Sequence, residues 1–193
     1  MMRWGWVIML SVVASACAGR PPATATPVEP LRLFSLAPAS LGRSLSLSQL
    51  VVGEYKDQSY KMRYEVDITP ERLAMVGLSP LGITLFSLVQ ERDEISVETF
   101  FKQEPKFDPR YTLFDLYLTY WPPEVLRTAL ASRQMRFEES ADGLTRHVRG
   151  PKGDILAEVV FPPKDAARSE IVIQHFDFPY RLRIVTPGTG GSR

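Results

Sequence analysis

Cysteine is nearly absent: Cys17 is the only one in 193 residues, so no intrachain disulfide can form and no multi-thiolate zinc site is available. Histidine is almost as scarce. His147 and His175 both fall on stretches that read as strands and make a weak metal pair, so each reads as a structural or surface histidine. Net charge is lacking too, with 23 Lys and Arg against 22 Asp and Glu. No run of basic residues asks for a nucleic-acid partner. No internal repeat is present. The longest apolar run, Trp4 to Val13, has ten residues and is broken by Gly5 and Ser11, well short of the roughly 20 that cross a bilayer. A nucleophile is missing as well. Gly77-Leu78-Ser79-Pro80-Leu81 imitates a nucleophile elbow, but Leu81 stands where glycine belongs, and Pro80 has no N–H for an oxyanion hole. Glu138, Glu139, Asp93, Glu94 and Asp57 sit at turns or element ends, where solvated charge is ordinary. The sequence therefore reads as that of a non-enzyme with no cofactor and no metal.

What is present begins with a targeting segment. Arg3 gives a positive start, the short apolar run follows, and Ala14-Ser15-Ala16 leads directly into Cys17. This resembles the lipobox of bacterial lipoproteins, with Ala14 where leucine is commoner. The resemblance implies a signal peptide over 1–16 and acylation of Cys17 by palmitate-type chains. The alternative is a plain secretory signal whose cysteine is incidental. More than one acyl chain anchors stably where one is marginal. Ala18 rather than Asp after the cysteine implies, by the lipoprotein sorting rule, the periplasmic face of the outer membrane. Arg20 to Pro30 has four prolines and reads as an extended tether, so 17–30 forms the lipidated linker, 31–187 the folded domain and 188–193 a disordered tail.

Period-two patterning dominates the domain. Tyr60, Met62, Tyr64, Val66 and Ile68 alternate with polar residues from Ser59 to Asp67. Pro70 breaks the ladder before Leu73 to Val76, and a Ser79-Pro80-Leu81-Gly82 tip joins that strand to Ile83 to Leu88. Further strands are expected at Ser44 to Ser48 leading into Leu50 to Tyr55, and at Ile95 to Phe101, Leu144 to Arg149, Ile155 to Phe161, Ile171 to Phe176 and Tyr180 to Val185. Asp108-Pro109 reads as an N-cap and first helical residue. A helix over 111–120, a proline corner at Trp121-Pro122-Pro123 and a second helix to about Ala131 follow. The fold class expected is mainly β (α+β): a strongly curved antiparallel sheet or incomplete β-barrel with a short helical lid.

Such a sheet leaves an apolar cavity if its side chains do not fill it. Candidate lining residues are Tyr60, Met62, Tyr64, Phe86, Phe100, Phe101, Leu116, Trp121, Phe161 and Phe176. The alternative is that they fill a core. The order of parts from Leu47 to Ile184 resembles the LolB family of outer-membrane lipoprotein receptors and a LolB-like branch of lipoproteins. Its sharpest piece is Ser79-Pro80-Leu81-Gly82, similar to the Asn-Pro-Leu-Gly segment of that family. Trp121 with its following helix, the Pro151-Lys152-Gly153 hairpin and the strand from Arg181 to Ile184 fall in matching order. The resemblance implies a LolA/LolB-like fold and a membrane-insertion loop at Pro80, Leu81 and Gly82. It also implies an acyl-chain or lipid cargo passed from a periplasmic LolA-like carrier to the outer membrane. Against the insertion role stands a buried turn leucine. Against the receptor stands a structural envelope lipoprotein with a filled core that docks other proteins.

Overall fold

A computed structural model describes residues 34–56, 58–100, 108–166, 169–178 and 180–186. Cys17, the tether, Phe101, Asp57 and the tail lie outside the described residues. Among those described, a short 3-10 turn at Pro38–Leu41 precedes β1 (Leu45–Tyr55), β2 (Gln58–Ile68), β3 (Arg72–Leu78), β4 (Thr84–Glu91) and β5 (Glu94–Thr99). Two helices follow, α1 (Tyr111–Tyr120) and α2 (Pro123–Ala131). The chain then returns to β6 (Arg136–Glu139), β7 (Thr145–Arg149), β8 (Ile155–Val160), β9 (Glu170–His175) and β10 (Tyr180–Val185).

All ten strands join one antiparallel sheet in the order β5-β4-β3-β2-β1-β10-β9-β8-β7-β6. The first five strands form one meander, the last five another, and β1–β10 pairing from Leu50↔Val185 to Tyr55↔Tyr180 welds them. Strands β5 and β6 end the order as two open edges, so the sheet is curved but not closed. This is the mainly β, helix-containing architecture that the patterning predicts. Strand β6 was not among the expected strands, because Arg136-Phe137-Glu138-Glu139 carries a single apolar residue and no alternation to read.

Alternation fixes which face is inside. Along β2, Met62, Tyr64, Val66 and Ile68 are buried while Lys61, Arg63 and Asp67 are exposed. The same phase buries Phe86, Leu88 and Gln90 of β4 and Ile173 and His175 of β9. A one-residue slip would put every one of these on the wrong face, so the pattern pins the register.

The inner face wraps around α1. Thr112 through Thr119 are all buried, and the helix touches strands far apart in the sheet order. Thr112 lies against Met75 of β3, Tyr117 donates a hydrogen bond to Gln90 of β4, Asp115 meets His175 of β9, and Arg146 of β7 reaches its last turn. Only a sheet curved around the helix permits that set. The helix begins at Tyr111, later than the Asp108-Pro109 start expected. Asp108 instead accepts the Arg110 N–H through its carboxylate at 3.0 Å, and its carbonyl accepts the Tyr111 N–H. Trp121 to Pro123 makes the expected corner, and Trp121 is fully buried with its indole N–H donated to Ser40 Oγ at 2.8 Å.

Register also defines two ends. One carries the β1–β2 turn, the β3–β4 tip at 79–83, the last residues of β5, the β7–β8 turn and the β9–β10 turn. Phe178 of the last turn stacks on Tyr55 at 4.8 Å and on Tyr111 at 5.8 Å, so α1 starts there too. This is the tip end. The opposite end carries the Thr69–Arg72 turn and the β4–β5 turn. The chain enters near that opposite end, where Ser35 and the Leu36 carbonyl accept hydrogen bonds from Gln90.

Candidate functional site

The β3–β4 tip is built to hold one side chain out. Gly82 donates its N–H to the Ser79 carbonyl at 2.9 Å and adopts φ +79, the left-handed region that favours glycine. Pro80 sets the backbone angle of the second turn position. Ser79 closes the loop three ways: its N–H donates to the Ile83 carbonyl, its carbonyl takes the Gly82 bond, and its Oγ accepts the Ile83 N–H at 3.1 Å. The hydroxyl oxygen thereby helps to hold the turn closed. Leu81 is left 87% exposed and Ile83 62%. Leu81 is therefore not a buried turn leucine. Sequence reasoning did not single out Ile83, although its place directly after a left-handed glycine was a usable signal.

The interior is polar at a few fixed points. His175 Nε2 lies 2.7 Å from Asp115 Oδ1, and both side chains are nearly inaccessible. Burial pulls the His175 pKa down, but the Asp115 charge, its hydrogen bond and the more distant Asp177 outweigh that and hold it above the ordinary histidine value. Tyr64 and Tyr180 face the same cluster, and burial with the Asp115 charge raises both phenols well above their usual range. Tyr64 Oη and Asp115 Oδ2 have no hydrogen-bond partner among the described residues. On the other side of α1, burial pushes the Tyr117 phenol up to about 12, against hydrogen bonds from the Leu36, Ser35 and Gln90 region that lower it. Tyr120 pairs with Gln49 of β1. An acid inside an apolar helix run and glutamines on inward strand positions were the signals for this network.

The helix end is held by one cation. Arg146 Nη1 donates to the carbonyls of Leu118, Thr119 and Trp121 at 2.7, 3.2 and 3.2 Å, while its Nε donates to Glu139 Oε2 at 2.7 Å. These are the carbonyls a helix leaves without internal partners.

The candidate lining residues separate into two groups. Met62, Tyr64, Phe86, Leu116 and Trp121 are buried in the core around α1, with Phe161 half-buried against it. Tyr60, Phe100 and Phe176 lie at the tip end, and Phe100 and Phe176 are 56% and 52% exposed. Phe101 lies outside the described residues. The two histidines are on opposite faces: His147 pairs with Glu158 at 2.9 Å on the outer face, and His175 points inward. Among the described residues no group of three metal-ligating side chains comes together. A shallow depression of about 480 Å³ lies outside the sheet between Ser46, Ser48, Glu65, Asp67, Ala74 and Val76. Its polar groups already bond one another, Ser46 to Asp67 and Ser48 to Glu65. No helix among the described residues is long and apolar enough to cross a membrane.

Several solved structures resemble the chain, two of them as follows. A LolA superfamily protein from Nitrosomonas europaea is 7% identical, with a TM-score of 0.42, covering 78% of this chain and 89% of its own. A domain from Vibrio parahaemolyticus named for outer membrane lipoprotein sorting is 10% identical, with a TM-score of 0.41, covering 77% and 86%. No curated protein matches the chain. A family model described as "Protein of unknown function (DUF3261)" matches residues 46–187, and by that match the chain belongs to this family.

Proposed function

We propose that the protein is a lipid-anchored receptor at the periplasmic face of the outer membrane. It takes a lipid or acylated cargo from a periplasmic LolA-like carrier and passes it into the membrane. The observation that carries the reading is the Leu81 tip, where a proline, a left-handed glycine and a serine clasp hold a leucine almost wholly in water. A folded protein gains nothing from that exposure. Burying the side chain in lipid returns about 1.5 to 3 kcal/mol. Delivery of this kind breaks no bond, so it asks for apolar sites of rising affinity and no catalytic residue. Acylation of Cys17 would keep the domain within reach of the bilayer.

One observation favours the second reading, a scaffold with a filled interior. Helix α1 occupies the concavity where cargo would sit. Under the receptor reading cargo displaces α1 from the sheet. Under the scaffold reading α1 stays and no cargo enters.

The test uses residues 20–193, which leave out the signal segment and the acylation site and keep the whole folded domain. Native mass spectrometry and a fluorescent fatty acid read cargo binding. The receptor reading expects saturable uptake displaced by extracted envelope lipid. A folded protein that takes up neither overturns it and leaves the scaffold. Leu81→Glu should leave the melting temperature unchanged, since the side chain touches little, while abolishing transfer from preloaded protein to vesicles. Unimpaired transfer by that variant would remove the tip from the mechanism.

A further inference from the structure

Of the seven large apolar side chains exposed among the described residues, Leu50 lies within β1 and Val160 at the opposite end, while the other five, Tyr60 among them, gather at the tip end. Leu81 and Ile83 stand on the β3–β4 tip, Phe100 follows β5 with its N–H on the Leu85 carbonyl, and Phe176 opens the β9–β10 turn with its N–H on the Leu156 carbonyl. Antiparallel register puts all four at the tip end, from three separate loops. Charge is sorted along the same axis. Lys56, Lys61, Arg136, Lys152 and Arg181 are exposed at the tip end, against exposed Glu98 and Asp154 among the described residues. In the turns of the opposite end Glu71, Glu91, Asp93, Glu94, Asp142 and Asp165 outnumber Arg43, Arg72, Arg92 and Lys164. A net charge of only +1 thus conceals a dipole.

We infer that the whole tip end is a docking surface for an anionic lipid bilayer, with Phe100 and Phe176 as second and third anchors beside Leu81 and Ile83. Single apolar side chains on separate turns form no groove for a peptide or a protein ridge. They suit a fluid surface that yields around each of them, with basic residues between them at headgroup depth. Chain length permits the orientation. The chain reaches Phe34 near the opposite end, and β1 spans about 36 Å at the strand rise. Residues 18–33 reach at most about 55 Å when extended, so an anchor at Cys17 can lie beyond the tip end. This inference rests on the membrane role proposed for Leu81 and extends it from a loop to an oriented face.

The experiment places tryptophan at one site per variant in the full chain: Leu81→Trp, Phe100→Trp, Phe176→Trp, and Val160→Trp as an exposed control at the opposite end. Each is bound to phosphatidylcholine vesicles with or without phosphatidylglycerol, and a brominated phosphatidylcholine serves as quencher. Subtracting the parent removes the signal of the native tryptophans. The surface is supported by quenching at positions 81, 100 and 176 several-fold above that at 160, strengthened by the anionic lipid. Quenching at 81 alone overturns the oriented face while the Leu81 tip stands. Equal quenching at 160 and 176 overturns the orientation, and quenching at none of the sites overturns the tip as well. A Lys56→Glu/Lys152→Glu pair should abolish the anionic preference without lowering the melting temperature; a preference unchanged by it overturns the electrostatic half.

Discussion

At the residue scale two positions leave little freedom. Gly77 on β3 lies opposite Phe86 on β4, and a Cβ there would sit 2.2 Å from the buried Phe86 ring. Gly77→Ala should therefore push that ring out of its place against Tyr64, and chemical denaturation should report a loss of about 1–3 kcal/mol. The Asp115–His175 pair sets a pH dependence whose sign follows from the raised His175 pKa. Protonated His175 is favoured in the folded state, so its contribution is complete below the unfolded histidine value of about 6.5 and is lost as pH rises through the folded value. Melting temperature should fall with rising pH in that window, and His175→Gln should flatten that part of the curve. His175→Ala strands the buried carboxylate among Tyr64, Tyr180 and Phe114 and should cost about 3–5 kcal/mol.

At the element scale α1 is the exception in a molecule of half-buried strands. An amphipathic helix shows one polar face, yet Thr112 to Thr119 are buried throughout, with Asp115 and Tyr117 met by His175 and Gln90 of the sheet and the Thr119 hydroxyl donated back to the Asp115 carbonyl. Its C-terminal carbonyls depend on Arg146, whose planar guanidinium serves Glu139 and the helix end together. Lysine has one nitrogen for both tasks. Arg146→Lys should lower stability by about 1.5–3 kcal/mol, read by thermal unfolding, with the loss concentrated in amide exchange at the end of α1. The strands were legible in the sequence because period two is local and short turns repeat it. The depth of α1 was not. Apolar spacing marks a face, whereas burial on the remaining sides depends on strands β7 and β9, whose sequences lie beyond it. The same limit governs the cavity candidates. Alternation puts Tyr60 in phase with Met62 and Tyr64, but whether a residue in phase is buried depends on how far its neighbours extend at the tip end. For Tyr60 they stop too soon. Leu81 stood out as a leucine between Pro80 and Gly82 at a strand–strand tip, but a buried turn leucine fitted the same pattern, and its exposure emerged only from the folded tip.

At the scale of the whole molecule, the sheet order bears on the choice between the receptor and the scaffold readings. The two meanders meet at β1–β10, and their far edges β5 and β6 carry no strand between them among the described residues. Helix α1 bridges the halves, tied to β1, β3 and β4 on one side and to β7 and β9 on the other. Without cargo, leaving the concavity would expose Leu113, Phe114, Leu116 and Tyr117, each worth about 1.5–3 kcal/mol on burial, and would break the Asp115–His175 pair. Helix amides should therefore exchange only when the domain unfolds. Under the receptor reading, an acyl chain entering the concavity would replace the apolar contacts of the sheet but not those of the helix, so α1 would lose protection while β2 keeps it. Hydrogen exchange with a stoichiometrically bound fatty acid should show faster exchange over 113–119 and unchanged exchange over 62–68. If a fatty acid binds one to one and α1 remains as protected as before, cargo sits outside the concavity. Displacement of the helix is then no part of transfer.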